Sequence, residues 1–214
     1  MSESDVVTQL HPLWVQLLAE LGIAEETAVS VWDDLRQRYS EDGRFYHNLD
    51  HLHHALQIAQ DLQEEAENFT AVQLAIWFHD IIYDAKAQDN EEKSAMFAGR
   101  VLFQWELNEL LIAEVVRLIL LTKSHVLMGD DHNGRVLLDA DLAILGAPDV
   151  SYDAYAHAVR QEYAFVSEDV YRQGRQLILQ QFLNRPTLFS TEPMRLLLEA
   201  QARQNITREL DTLA

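Results

Sequence analysis

Apolar residues recur three and four positions apart along almost the whole chain, and no stretch alternates apolar and polar residues long enough to make a half-buried strand. That periodicity confines the fold to packed helices. Little interrupts it: the 214 residues include seven glycines and four prolines, about 5% against a usual roughly 12%, too few for a fold dense in tight turns. The expected fold is therefore all-α, a single domain over 1–214 built from about ten helices. The pattern predicts them over roughly 4–21, 25–39, 47–67, 71–83, 90–106, 108–125, 136–146, 151–165, 168–184 and 192–212. Thr70 with Gln73, and Asp89 with Glu92, have the spacing of capping boxes. Residues 128–135, MGDDHNGR, read as a loop.

Charge narrows the partners. Sixteen Lys and Arg against 35 Asp and Glu give a formal charge of −19, a field that repels nucleic acid and anionic lipid. Cysteine is absent, which excludes disulfides, thiolate metal sites and a cysteine nucleophile. The start, MSESDVVTQL, has no basic and apolar leader, and Leu110–Leu121 is too short, and too interrupted by Glu114 and Arg117, to span a bilayer. A cytoplasmic protein with neither nucleic acid nor membrane as partner is expected.

Five of the nine histidines, His47, His51, His53, His54 and His79, fall within 33 residues. On a helix beginning at His47, the side chain of His51 shares an apolar face with Leu52, Ala55, Ile58 and Leu62; His47 lies at its edge, and Asp50 and His53 point away. The segment AIWFHDIIY is apolar around its circumference yet carries His79 and Asp80 in its middle. A buried carboxylate there requires a cationic partner, either a salt bridge or a metal. A third apolar segment, VLLDADLAIL, holds two aspartates on opposite faces: Asp141 shares the deeper face with Leu137, Leu138, Ile144 and Leu145, and Asp139 has the position of a capping residue. Two imidazoles and two carboxylates from His51, His79, Asp80 and Asp141 make a nitrogen and oxygen set suited to a divalent ion, Mn, Fe, Ni, Zn or Mg. Four such ligands leave room for water and a substrate oxygen.

The order His51, then adjacent His79 and Asp80, then Asp141 resembles the H…HD…D pattern of the HD superfamily of metal-dependent phosphohydrolases. Tyr46-His47-Asn48-Leu49-Asp50-His51 is similar to the YHNxxH segment of cyclic-nucleotide phosphodiesterases, and Ala140-Asp141-Leu142 to their ADL. The string from RFYHNLDHL through FHDIIYD and DNEEKSA to LLDADLAILG, about residues 40–146, resembles a bacterial group of HD phosphohydrolases. The resemblance implies a helical HD-domain bundle with those four residues as metal ligands and His47 as the proton donor. No residue matches the phosphodiesterases' nucleotide-gripping glutamine and aromatic clamp, so the resemblance stops short of a cyclic nucleotide.

Around this set, Glu91 lies on the inward stripe with Ala95, Ala98 and Leu102, where it could orient a water or serve only the helix dipole. Arg44 is the candidate phosphate clamp, and Lys123 and His125 are further candidate substrate contacts. Asp84 is placed to support the site from a loop, while Trp105 and Met96 sit at core spacing. The expected activity is hydrolysis of a small phosphoester, a nucleotide in the first instance, by a metal-activated water, with Asp80 both ligand and catalytic residue. The alternative is an HD-type protein that binds metal and nucleotide to regulate a partner without turnover.

Overall fold

The structure, a computed structural model, describes residues 3–213, and among them ten α-helices and two short 3-10 turns but no strand. The helices are α1 (Glu3–Glu20), α2 (Glu25–Tyr39), α3 (Leu49–Asp61), α4 (Phe69–Phe78), α5 (Asn90–Gln104), α6 (Glu109–Leu121), α7 (His132–Leu142), α8 (Asp149–Glu162), α9 (Glu168–Leu183) and α10 (Glu192–Leu213). None is long and apolar enough to cross a membrane.

The centre of the bundle is α4, which packs on α3, α5, α6 and α7. Its sequence explains its place: Ala71, Val72 and Leu74–Phe78 are all buried, so a helix without a polar face must be covered on every side. Trp14 of α1 meets Trp77 and Phe78 edge-on, an arrangement that aromatic quadrupoles favour. At the far end, the 3-10 turn Ala143–Gly146 lies on α10. There Gly146 is required by proximity, because a Cβ on it would meet the Leu198 side chain at 2.5 Å. Trp105 packs against Trp14, whereas Met96, expected in the core by its spacing, is 74% exposed.

Several helix ends depart from the periodicity, and those of α3 and α4 shape the site. The third helix begins at Leu49, not His47, because the Asn48 carboxamide accepts from the N–H groups of Asp50 and His51 at 2.9 and 3.3 Å and so caps it. His47 therefore precedes the helix. His53, expected to face away from the core, is buried, since α3 is covered by α1 as well as by α4 and α7. The fourth helix starts at Phe69 under an Asn68 cap instead of the Thr70–Gln73 box, and it ends at Phe78 instead of running to residue 83. Beyond Phe78 the Tyr39 hydroxyl donates to the Trp77 carbonyl and accepts from the Asp80 N–H, both at 3.3 Å. Tertiary hydrogen bonds thus replace the next helical turn. The seventh helix starts at His132, within the expected loop, because Asp131 accepts from the Gly134 N–H at 2.8 Å. Asp89 precedes α5 without a side-chain cap, its carboxylate being paired with Lys93 at 2.8 Å.

Candidate metal centre and the adjoining histidine pair

His51 comes from the first turn of α3, His79 from the end of α4, Asp80 from the turn that follows, and Asp141 from the last turn of α7. The donor atoms of His51, His79 and Asp141 converge, and Asp80 stands beside the two imidazoles without joining that group. His51 Nε2 and His79 Nε2 are 3.2 Å apart, and Asp141 Oδ1 lies 3.4 and 3.7 Å from them. Asp80 Oδ2 lies 3.2 Å from His79 Nε2 and 3.7 Å from His51 Nε2. The donor atoms of His51, His79 and Asp141 all fall within 4.8 Å of one another. Two donors about 2.1 Å from one ion stand roughly 3.0 Å apart at a right angle and 3.4 Å at the tetrahedral angle, so the spacing suits a shared divalent ion.

The orientation of the donors is determined around them. His79 Nδ1 sits 2.8 Å from the Ile76 carbonyl, an acceptor only, so Nδ1 carries the proton and neutral His79 turns the Nε2 lone pair to the centre. His125 Nε2 bonds Asp141 Oδ2 at 2.9 Å, which leaves Oδ1 facing the imidazoles. His125 adopts φ 50°, a left-handed backbone that costs a non-glycine residue about 1–2 kcal/mol, and it closes the C-terminus of α6 by donating its N–H to the Leu121 carbonyl. Strain of this kind is commonly retained where it aims a functional side chain.

Electrostatics express the same convergence. Burial raises the pKa of each carboxylate, but His125, His51 and His79 outweigh it at Asp141, and His79 outweighs it at Asp80, so both are held well below the ordinary range. Burial likewise lowers the His79 imidazole, yet Asp80 is the main group that pushes it above its usual value. Two buried carboxylates demand positive charge here.

Beside the centre stands a pair the periodicity did not disclose. Glu162, from the end of α8, accepts from the N–H groups of Tyr46 and His47 at 2.7 and 2.9 Å, meets His47 Nδ1 at 2.7 Å, and accepts from the Tyr83 hydroxyl at 2.8 Å. The His47 ring stacks on Tyr83 at 4.2 Å and remains a quarter exposed. Burial lowers the His47 pKa, but the hydrogen bond to Glu162 and the charges of Asp80, Glu162 and Asp141 together outweigh it, and the net shift is upward. Glu162 stays ionised below its usual range because the same bonds to His47 outweigh its burial. Tyr152, Tyr155, Val159 and Glu162 share one helical stripe, the one sequence signal that could have singled out Glu162.

Other expected residues lie elsewhere. Arg44 is buried, and its guanidinium donates to the carbonyls of His47, Asp80 and Ile81 at 3.1, 2.6 and 3.1 Å; it shapes the turn carrying Asp80 and does not face the cavity beside the centre. Lys123 reaches the Gln88 carbonyl at 2.7 Å and pairs with Glu92, fastening α6 to the start of α5. Glu91 is partly exposed in the first turn of α5 and makes none of the contacts above. Asp84 is exposed, and its carboxylate accepts from the Lys86 N–H within the α4–α5 loop. Asp139 points away from the centre: it accepts from the N–H groups of Ser190 and Thr191 and from the Thr191 hydroxyl, each at 2.7 Å, at the start of α10.

Tyr46, His47, His125 and Asp141 line one end of a cavity of about 540 Å³. The Tyr46 hydroxyl is buried there with no hydrogen-bond partner among the described residues, which leaves it available to an oxygen of a ligand. No protein-family model, curated protein or solved structure matches the chain.

Proposed function

We propose that the protein is a metal-dependent phosphohydrolase acting on a small phosphoester, with nucleotides the substrates first suggested by the sequence motifs. The observation that carries this reading is the convergence of His51 Nε2 and His79 Nε2, 3.2 Å apart, with carboxylate oxygens of Asp80 and Asp141 beside them. Those four residues would hold a divalent ion. When bound, the ion supplies Lewis-acid polarisation of a phosphoryl oxygen and lowers the pKa of water.

The remaining chemistry belongs to the chain. His125 holds Asp141 in its ligating orientation. Glu162 fixes the His47 Nδ1–H and favours the imidazolium. As water adds to phosphorus and the P–O ester bond breaks, His47 passes its Nε2 proton to the departing oxygen, which leaves as an alcohol. The Tyr46 hydroxyl donates to a phosphoryl oxygen.

The decisive experiment is elemental analysis of protein purified without added metal, followed by hydrolysis assays before and after chelation. About one divalent ion per chain and chelator-sensitive release of phosphate are expected. Absence of metal refutes the centre, and retained metal without turnover on either phosphomonoesters or phosphodiesters favours a binding protein. His47→Ala keeps the metal and lowers turnover by roughly 10²-fold or more on poor leaving groups.

A further inference from the structure

The cavity that opens from the centre is walled by hydrocarbon. From α8 it takes Tyr155 and Val159, from the α8–α9 connection Tyr163 and Phe165, and from α9 the stripe Val170, Gly174, Ile178 and Phe182. That stripe repeats every four residues, so one face of α9 looks into the cavity. Val170 and Ile178 remain 57% and 49% exposed, apolar side chains that the described residues cover only in part.

Cationic groups are scarce along it. Arg175 reaches the wall, but its guanidinium is buried and held by Glu209 at 2.7 and 3.0 Å. Lys86 is the exposed amine at the rim, its Nζ 5.2 Å from the Phe165 ring. A nucleoside triphosphate brings several negative charges to a chain whose formal charge is −19, and this cavity has one free amine, the His47 imidazole and the centre itself to receive them.

Gly174 adds an independent observation. It sits in the interior of α9, its φ is not in the left-handed region, and a Cβ built on it meets nothing within 4 Å. Neither backbone conformation nor packing calls for glycine, and glycine within a helix costs about 1 kcal/mol relative to alanine. Gly174 is exposed, and what it leaves is open space at the mouth of the cavity.

We propose that this cavity seats an apolar body, so that the substrate is a phosphoester carrying a single phosphoryl group on an aryl or alkyl alcohol, and that Gly174 keeps the seat open as a specificity-determining residue. The proposal rests on the phosphohydrolase reading for its phosphoryl end. The phosphoryl group lies at the end bounded by His47, His125 and Asp141, and the alcohol's hydrocarbon lies against α8 and α9. A cavity of about 540 Å³ is within the roughly 300–1,000 Å³ range of small-molecule sites.

The test is calorimetric binding to the metal-loaded protein of four probes: 1-naphthylmethylphosphonate, whose C–P bond resists hydrolysis, methylphosphonate, 1-naphthol and adenosine triphosphate. The naphthyl phosphonate is expected to bind tighter than methylphosphonate by about tenfold or more, from burial of aryl surface, and tighter than the triphosphate. Gly174→Phe is expected to remove most of that preference while methylphosphonate binding and metal content stay unchanged and the thermal melt does not fall; Gly174→Ala, which leaves most of the space, keeps the preference. Equal affinity for the two phosphonates, tighter binding of the triphosphate, or a Gly174→Phe protein that retains the naphthyl preference overturns the proposal while the phosphohydrolase reading stands. Naphthol binding as tightly as the naphthyl phosphonate removes the phosphoryl end from the seat and overturns the proposal, whereas the phosphohydrolase reading falls only with the metal or the turnover.

Discussion

Replacing Glu162 by Gln tests the histidine pair with a change of one atom type. The carboxylate accepts four hydrogen bonds: Oε1 takes the N–H groups of Tyr46 and His47, and Oε2 takes His47 Nδ1 and the Tyr83 hydroxyl. A carboxamide that keeps its oxygen on the two backbone donors turns its NH2 toward His47 Nδ1. Donor then faces donor, and the imidazolium loses its partner. A hydrogen bond to a charged group is worth about 1.5–3 kcal/mol, and at about 1.4 kcal/mol per unit the His47 pKa falls by roughly 1 to 2 units. Because the proton donor must be charged to act, the alkaline limb of kcat moves to lower pH by that amount, and at pH values above the native limb turnover falls by about 10- to 100-fold. The assay is kcat against pH for phenyl phosphate and p-nitrophenyl phosphate, with metal content as control; the loss is expected to be larger for phenyl phosphate, whose leaving oxygen needs the proton. An unmoved limb, or equal losses on both substrates, refutes the assignment. Stability follows the same linkage. His47 binds its proton more tightly folded than unfolded, so the pair contributes fully below the ordinary histidine value of about 6.5 and progressively less as pH rises through the raised native value. Glu162→Gln flattens that part of the curve of stability against pH.

Asp139→Ala and Asp141→Ala separate structure from ligation: the first loses about 3 kcal/mol in a denaturant melt by exposing the unpaired N–H groups of Ser190 and Thr191 and keeps its metal, whereas the second loses the metal. Arg44→Lys offers one point donor to three carbonyls, so the protein is expected to lose about 2 kcal/mol of stability and to bind metal more weakly; a raised KM with stability and metal affinity intact would reinstate Arg44 as a substrate contact. Arg175→Leu leaves the Glu209 carboxylate buried against Tyr152 and costs about 3–5 kcal/mol, of which Arg175→Leu with Glu209→Leu recovers most. Thermal or denaturant melts of the single and double variants decide it.

The helical character of the chain was legible because apolar period is a local property, read without knowing what any helix packs against. So was the significance of His79 and Asp80: an ionisable pair in an otherwise apolar segment demands compensation wherever the segment lies. The choice of Asp141 over Asp139 also came from one helix alone, since the two side chains leave it in nearly opposite directions, and Asp139 does bind the start of α10. Boundaries were less legible. Periodicity continues past Phe78 and begins before Leu49, but Tyr39, Arg44 and Asn48 supply hydrogen bonds that end or start those helices.

The sequence by itself determined an all-helical chain and the ionisable residues, His51, His79, Asp80 and Asp141, that stand out from otherwise apolar segments, because helical period and the energetic penalty of buried charge act within a single segment. Only the tertiary structure decided which groups meet. Glu162 reaches His47 across 115 positions of sequence, Arg44 takes the carbonyls of Asp80 and Ile81 instead of turning to the cavity, and Lys123 ties α6 to α5. A charged side chain has no preferred partner in the unfolded chain; it acquires one when packing brings a complementary group within hydrogen-bonding distance and removes the water that competes for it.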